Sequence, residues 1–221
     1  LPDGFESMDD MAFWYMPKLE RVDLGGTTAV SDSAFRYDKA LAEVNFRPDL
    51  GRLVTVGDYA FEDAPITAVT VPDSVTSIGK FAFSGNSSLT RVHLGSGLTS
   101  IGEGAFLGVS SLASLSVVPA NSMYTVEDGV LYSKGDAGRT LVLYLPTKTD
   151  TDVMVPDGTV ALADYAFASN TSLRRVVLPE GLTTIGYGAF DGDANLTDIV
   201  IPDSVTVARG LVNNGLDTIE L

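Results

Sequence analysis

The sequence predicts a β-dominated solenoid of about nine stacked coils. Three observations predict it: a motif that recurs along the chain, a spacing near 23 residues between copies, and a phenylalanine at a fixed place in most of them. The motif is plainest from Ile78 to Pro119, written once as IGKFAFSGNSSLTRVHLGSGLTS and again as IGEGAFLGVSSLASLSVVP. Phe83, Leu89, Val92 and Leu94 are spaced by six, three and two residues, as are Phe106, Leu112, Leu115 and Val117. Self-similarity at a period of roughly 20 to 50 residues marks a fold in which each unit buries its apolar side only against its neighbours.

The elements follow in order. Residues 1–18 place Asp3, Glu6, Asp9 and Asp10 before Phe13, Trp14 and Tyr15, which predicts an N-terminal cap, a short acidic helix with its aromatics turned inward. From there the pair Ala-Phe recurs seven times, ending at Phe13, Phe35, Phe61, Phe83, Phe106, Phe167 and Phe190. Each pair is predicted on a short helical or 3-10 turn, too brief to stand alone, with the rings stacked as a ladder. The apolar-x-apolar segments that follow end at Leu24, Phe46, Val71, Leu94, Val117, Val155, Leu178, Ile201 and Leu221. They alternate as half-buried strands do, and several stop at a proline that cannot donate to a continuing ladder. Ile78-Gly79, Ile101-Gly102, Ile185-Gly186 and the looser Val56-Gly57 then suggest a corner, with glycine admitting a positive φ. One interval, Val117 to Val155, is 38 residues. Its text, YTVEDGVLYSKGDAGRTLVLYLP, predicts an inserted β-hairpin at about 120–150, with the turn at Lys134 to Arg139. Tyr124, Tyr132 and Tyr144 cover its dry side or, alternatively, offer aromatic contacts to a partner.

Composition narrows the function. The 221 residues with 45% hydrophobic content support one domain with a real core: the cap, then a solenoid over 19–221. Lys plus Arg total 14 against 29 Asp plus Glu, a net charge of −15, which repels nucleic acid and anionic membranes. There is no cysteine for a disulfide or thiolate site, and no apolar run of the roughly 18 residues that a membrane span requires. Leu1 does not begin a signal peptide, so the expectation is a fragment of a longer or processed chain.

Sites of chemistry are scarce. His93 is the one histidine, without a catalytic or metal-binding companion in sequence. GEGAFLG and GYGAFDG are repeat units rather than dinucleotide loops, and Asp191, Asp193 and Asn195 lack the glycine and the final glutamate of a calcium loop. Asn86, Asn170 and Asn195 begin glycosylation sequons in one repeat loop, where the first two are expected to bond backbone groups inside the turn. No enzyme, metal or cofactor is expected.

The units IGKFAFSGNSSLTRVHLGSGLTS and IGYGAFDGDANLTDIVIPDSVTV resemble the BspA-like class of leucine-rich repeats, and the resemblance runs from about Ala12 to Leu221. It implies a right-handed leucine-rich-repeat solenoid on secreted or surface-anchored bacterial proteins. Some of these adhere to host extracellular-matrix proteins such as fibronectin and fibrinogen, and many carry a similar DGVLY insertion. The sequence departs from the family pattern at Asn86, Val109 and Asn170, where a cysteine is often found.

The strand residues on either side of each inward one must point outward. The first outward column reads Arg21, Glu43, Ala68, Arg91, Ser114, Asp152, Arg175, Asp198 and Thr218. The second reads Asp23, Asn45, Thr70, His93, Ser116, Met154, Val177, Val200 and Glu220. Solenoids bind partners on such a face. Arg91, His93, Ser114, Asp152, Met154, Arg175 and Val177 are therefore the candidate partner-binding residues of a non-enzymatic extracellular or cell-surface adhesion module, with a protein ligand. A purely structural spacer array within a larger surface protein is the other reading.

Overall fold

A computed structural model describes residues 1–210 and the backbone of Thr218–Glu220; the strand end assigned to Leu221 and the side chains of Thr218 and Glu220 lie outside the described residues. The chain forms two compact units, Leu1–Tyr124 and Thr125 onward. Each is a β-solenoid, without an α- or 3-10 helix among the described residues.

In the first unit the strand face consists of two parallel sheets. Arg21–Asp23 pairs with Glu43–Asn45, and Ala68–Thr70 pairs with Arg91–Leu94, which pairs with Ser114–Val117. The break between them falls where the repeat interval is 25 residues rather than 23. A third parallel sheet, Ala29–Val30, Thr55–Val56, Ser77–Ile78 and Ser100–Ile101, leads into the glycine corners. In the second unit the strand face is Asp152–Met154, Arg175–Val177, Asp198–Val200 and Thr218–Glu220.

The predicted hairpin is present and carries one feature the sequence did not suggest. Val130–Ser133 and Arg139–Tyr144 are antiparallel, with a bulge between Leu131 and Tyr132. Arg139–Tyr144 also pairs in parallel with Thr159–Leu162, which continues to Thr184–Ile185 and Val207–Ala208. The insertion therefore supplies the first strand of a coil.

The phenylalanines form the expected ladder. In the first unit Phe13, Phe35, Phe61, Phe83 and Phe106 stack at 5.1, 5.3, 5.5 and 5.6 Å between centroids, with planes within 7°. In the second, Tyr144 starts the stack at 4.9 Å from Phe167, and Phe190 follows at 5.2 Å. Phe35, Phe61, Phe83, Phe167 and Phe190 are fully buried. Tyr124, Tyr132 and Tyr144 are buried too, and Tyr132 and Tyr144 belong to the hydrophobic core of the second unit.

The phenylalanine turns correct the expectation of helical turns. In a helix every N–H bonds back along its own segment. Here the N–H of Phe61 donates to the carbonyl of Ala82 one coil on, and those of Tyr59 and Asp63 donate to Lys80 and Ser84. The intervening N–H of Glu62 bonds within its own coil, to Tyr59. Of the three amides diverted to the next coil in each turn, the first and the last belong to left-handed residues: Tyr59 and Asp63 (φ 57° and 60°), Tyr165 and Ser169 (61° and 68°). Such φ values are unfavourable for side chains other than glycine. The interchain-like ladder of stacked coils holds them in place.

The corner glycines are also corrected. Gly57, Gly79, Gly102 and Gly186 do not have positive φ; the left-handed residue comes two positions later. They are glycine because coils touch there. A Cβ on Gly79 would lie 2.5 Å from the backbone N of Asp58 and the carbonyl carbon of Gly57, and one on Gly186 2.5 Å from the backbone of Ala163 and Asp164.

Residues 10–15 are turns, not a helix. They follow the repeat register: Met11, Phe13 and Tyr15 donate to Asp32, Ala34 and Arg36 of the next coil. Phe13 faces the ladder, whereas Trp14 and Tyr15 are 47% and 58% exposed rather than turned inward.

Candidate functional site

Strand alternation places Val69, Val92, Leu115, Val176 and Ile199 in the core, leaving the residues on either side of each to the open face. The register brings the candidate residues together in two separate groups. In the first unit Arg91 pairs with Ser114 and His93 with Ser116. In the second, Asp152 pairs with Arg175 and Arg175 with Asp198, while Met154, Val177 and Val200 form the adjacent column.

The first group is polar. Arg91 and Ser114 are exposed, His93 is half-buried, and its Nδ1 lies 2.9 Å from Ser116 Oγ. Among the described residues Arg91 has no carboxylate within 4 Å, unlike Arg21, which reaches Glu43 at 3.5 Å. Below it, where the two sheets part, a cleft of about 430 Å³ opens between Glu43–Asn45 and Ala68–Thr70, floored by the buried Phe46.

The second group is charged on one side and apolar on the other. Arg175 sits in register between Asp152 and Asp198, yet those carboxylates accept from the hydroxyls of Thr151 (2.9 Å) and Thr197 (2.8 Å), and among the described residues no ion pair with Arg175 closes within 4 Å. Met154 is 78% exposed, the most exposed large apolar side chain among the described residues. Beside it is a groove of about 320 Å³ between the insertion and Asp152–Met154. Sequence reading missed this groove, because its walls, Glu127, Tyr144, Lys148 and Asp150, come together only when the insertion folds back. Tyr144 donates to Asp150 Oδ2 at 2.5 Å, and Lys148 Nζ lies 3.1 Å from the same oxygen. Both interactions hold the Asp150 carboxyl below its usual range, the tyrosine bond being the larger effect. Burial, reinforced by the Asp150 contact, pushes the Tyr144 phenol well above its own.

A second set of polar groups is buried, three residues after four of the ladder phenylalanines, Phe35, Phe83, Phe167 and Phe190. Asn86 and Asn170 have no exposure. Asn86 Nδ2 donates to the carbonyls of Phe61 (2.7 Å) and Phe83 (3.0 Å), and Asn170 Oδ1 accepts from the N–H of Ser172 (2.9 Å). Their role is in the turn, as expected, and burial closes both to glycosylation; Asn195 is exposed. Asp193 Oδ1 accepts the Asn170 N–H at 2.7 Å, but among the described residues its buried Oδ2 has no hydrogen-bond partner. Burial, with a smaller contribution from Asp191, pushes the Asp193 carboxyl up to about 8 against the opposing backbone bond. Asp38, buried the same way, is raised to about 6. These are structural positions the sequence does not flag, since an aspartate in a turn is ordinarily solvated.

Among the described residues no group of three or more His, Asp or Glu side chains is placed to hold a metal ion, and no helix is long and apolar enough to cross a membrane.

The chain matches the family described as BspA type leucine rich repeat region in six copies, over residues 1–54, 54–135 and 148–212. No curated protein sequence matches it. Among solved structures it is similar to a leucine-rich repeat protein from Eubacterium ventriosum, at 25% identity and a TM-score of 0.84, over 96% of this chain and 57% of that one. It is also similar to the pneumococcal vaccine antigen PcpA (22%, 0.72, over 96% of this chain and 67% of that one). A leucine rich cell surface protein from Faecalibacterium prausnitzii gives 23% and 0.66, over 94% of this chain and 67% of that one. The chain thus spans little more than half the length of the Eubacterium protein.

Proposed function

Because the chain belongs to the family of BspA-type leucine-rich repeats, we propose that it is a non-enzymatic protein-binding module of a bacterial surface or secreted protein. It works through the open face of its strand ladder, the face on which repeat solenoids recruit partners. The observation that carries this reading is the state of Arg91 and Arg175. Both project from the face in a chain of net charge −15, and among the described residues neither is neutralised by an ion pair, although Arg175 has an aspartate in register on each side. A guanidinium left unpaired presents a planar set of donors to a partner's carboxylate or carbonyl groups. Two of the structural neighbours, named as a vaccine antigen and a cell surface protein, support a surface location. The resemblance makes extracellular-matrix proteins the first ligands to try.

The test is solid-phase binding to immobilised fibronectin and fibrinogen by the wild type, Arg91→Glu and Arg175→Glu. Reversal of a positioned charge is expected to weaken binding at least about tenfold. Equal binding by both variants removes the strand face from the account. No binding by the wild type to either protein favours a structural spacer.

A further inference from the structure

We propose that the groove between the inserted hairpin and the strand Asp152–Met154 receives a lysine or arginine side chain from a basic, aliphatic-rich segment of a partner protein. The inference rests on the reading that this face binds protein, and it names the chemistry of one contact.

The groove's volume, about 320 Å³, is at the small end of ligand clefts, large enough for one long side chain and its neighbours rather than a folded surface. Its lining is divided. Val130, Tyr132, Leu141 and Val153 make an apolar floor, and Glu127, Asp128, Asp150 and Asp152 set four carboxylates around it against the single ammonium of Lys148. A side chain with an apolar stem and a cationic head matches such a lining, since it buries the stem while the head meets the rim.

Lys148 displays that match from within the chain. Its Nζ takes the carbonyl of Asp128 at 2.9 Å and Asp150 Oδ2 at 3.1 Å, and lies 5.4 Å from the centroid of the Tyr144 ring. Glu127 is likewise occupied, by Arg139 at 2.6 Å. Asp152 is the rim carboxylate that, among the described residues, has no cation within 4 Å, and it stands one strand position from Val153 and two from the exposed thioether of Met154. Methionine adapts its shape to an incoming side chain. The net charge of −15 adds long-range attraction for a basic partner.

Methyl-labelled methionine makes the groove observable, because Met154 reports on it directly. The probe is a short peptide alternating lysine and leucine, with glutamate in place of lysine as the control. A saturable shift of the Met154 methyl is expected with the lysine peptide alone. Affinity falls about tenfold or more when salt is raised from about 0.05 to about 0.5 M, and similarly in Asp152→Lys. No saturable Met154 shift, an equal shift with the glutamate peptide, or shifts confined to other methionines overturns the proposal. A Met154 shift that depends only on protein concentration assigns the groove to a second copy of the chain and overturns it too. Arg175→Glu separates this from the strand-face reading: it is expected to weaken matrix binding but to leave the lysine peptide bound as tightly or more so.

Discussion

At the same register position of the strand face, Leu1–Tyr124 carries Thr70, His93 and Ser116, whereas the unit from Thr125 carries Met154, Val177 and Val200. One position inward the two units converge: Val69, Val92 and Leu115 in the first, Val176 and Ile199 in the second, all buried. The ladder converges as well, at 5.1 to 5.6 Å between rings in the first unit and 4.9 to 5.2 Å in the second. The stack of coils constrains one side of each strand and leaves the other free, so the two units share a skeleton and differ in surface chemistry. A function that differs between them has to be written in the free columns.

The strongest way to break this comparison is to cut the shared skeleton. Phe83→Ala in the first unit and Phe167→Ala in the second remove fully buried rings that stack on neighbours. Each is expected to lose about 3–5 kcal/mol in denaturant unfolding, while His93→Ala and Met154→Ala stay within about 0.5 kcal/mol of the parent. Similar losses at the inward and outward positions would dissolve the distinction.

Glycine substitutions give the next largest effect. Gly79→Ala and Gly186→Ala each place a Cβ 2.5 Å from the backbone of the preceding coil, and about 2–3 kcal/mol should be lost in both. Gly181, where a Cβ meets nothing within 4 Å, serves as the contrast, and Gly181→Ala is expected to be neutral or slightly stabilising. A tolerated Gly79→Ala would mean that the coils can part at that corner.

The buried turn column sharpens the comparison through pH. It holds Asp38, Ala64, Asn86 and Val109 in the first unit, and Asn170 and Asp193 in the second. An unfolded Asp193 titrates near the ordinary 3.8 and the folded one near 8, so between those values the folded state keeps a proton that the unfolded state has released. Stability from this group is full below about pH 4, declines as pH rises to about 8, and then levels off. Asp150 and Asp73, held low by their partners, act in the opposite sense and lose stability only as pH falls below the ordinary carboxylate range. Asp193→Asn is therefore expected to flatten the decline and to be about 1–2 kcal/mol more stable than the parent at pH 8. An unchanged slope in urea titrations at pH 5 and pH 8 would sink this account of Asp193.

The period, the ladder of Ala-Phe pairs, the strand register and the outward columns were all legible in the residues, because a repeat announces its own pairing partners: Arg91 and Ser114 are 23 positions apart, so they stack. The turn geometry was not. Ala-Phe flanked by small residues is compatible with a helical turn until the neighbouring coil takes alternate amides, and only the stacked structure reveals that Tyr59, Asp63, Tyr165 and Ser169 are held left-handed. The same applies to Gly79, whose glycine is required by the backbone of another coil rather than by its own φ.

What the amino-acid sequence determined alone was everything that repeats, since periodic burial of Phe, Leu and Val needs no knowledge of distant contacts. Tertiary structure alone decided what occurs once. Tyr144 took a phenylalanine's place at the foot of a ladder, Asp193 became buried with one oxygen unmet among the described residues, and the insertion folded back to set Lys148 and Asp150 beside Met154. Each depends on which groups a non-periodic segment meets after folding, and a single strand of text carries no register for such a meeting.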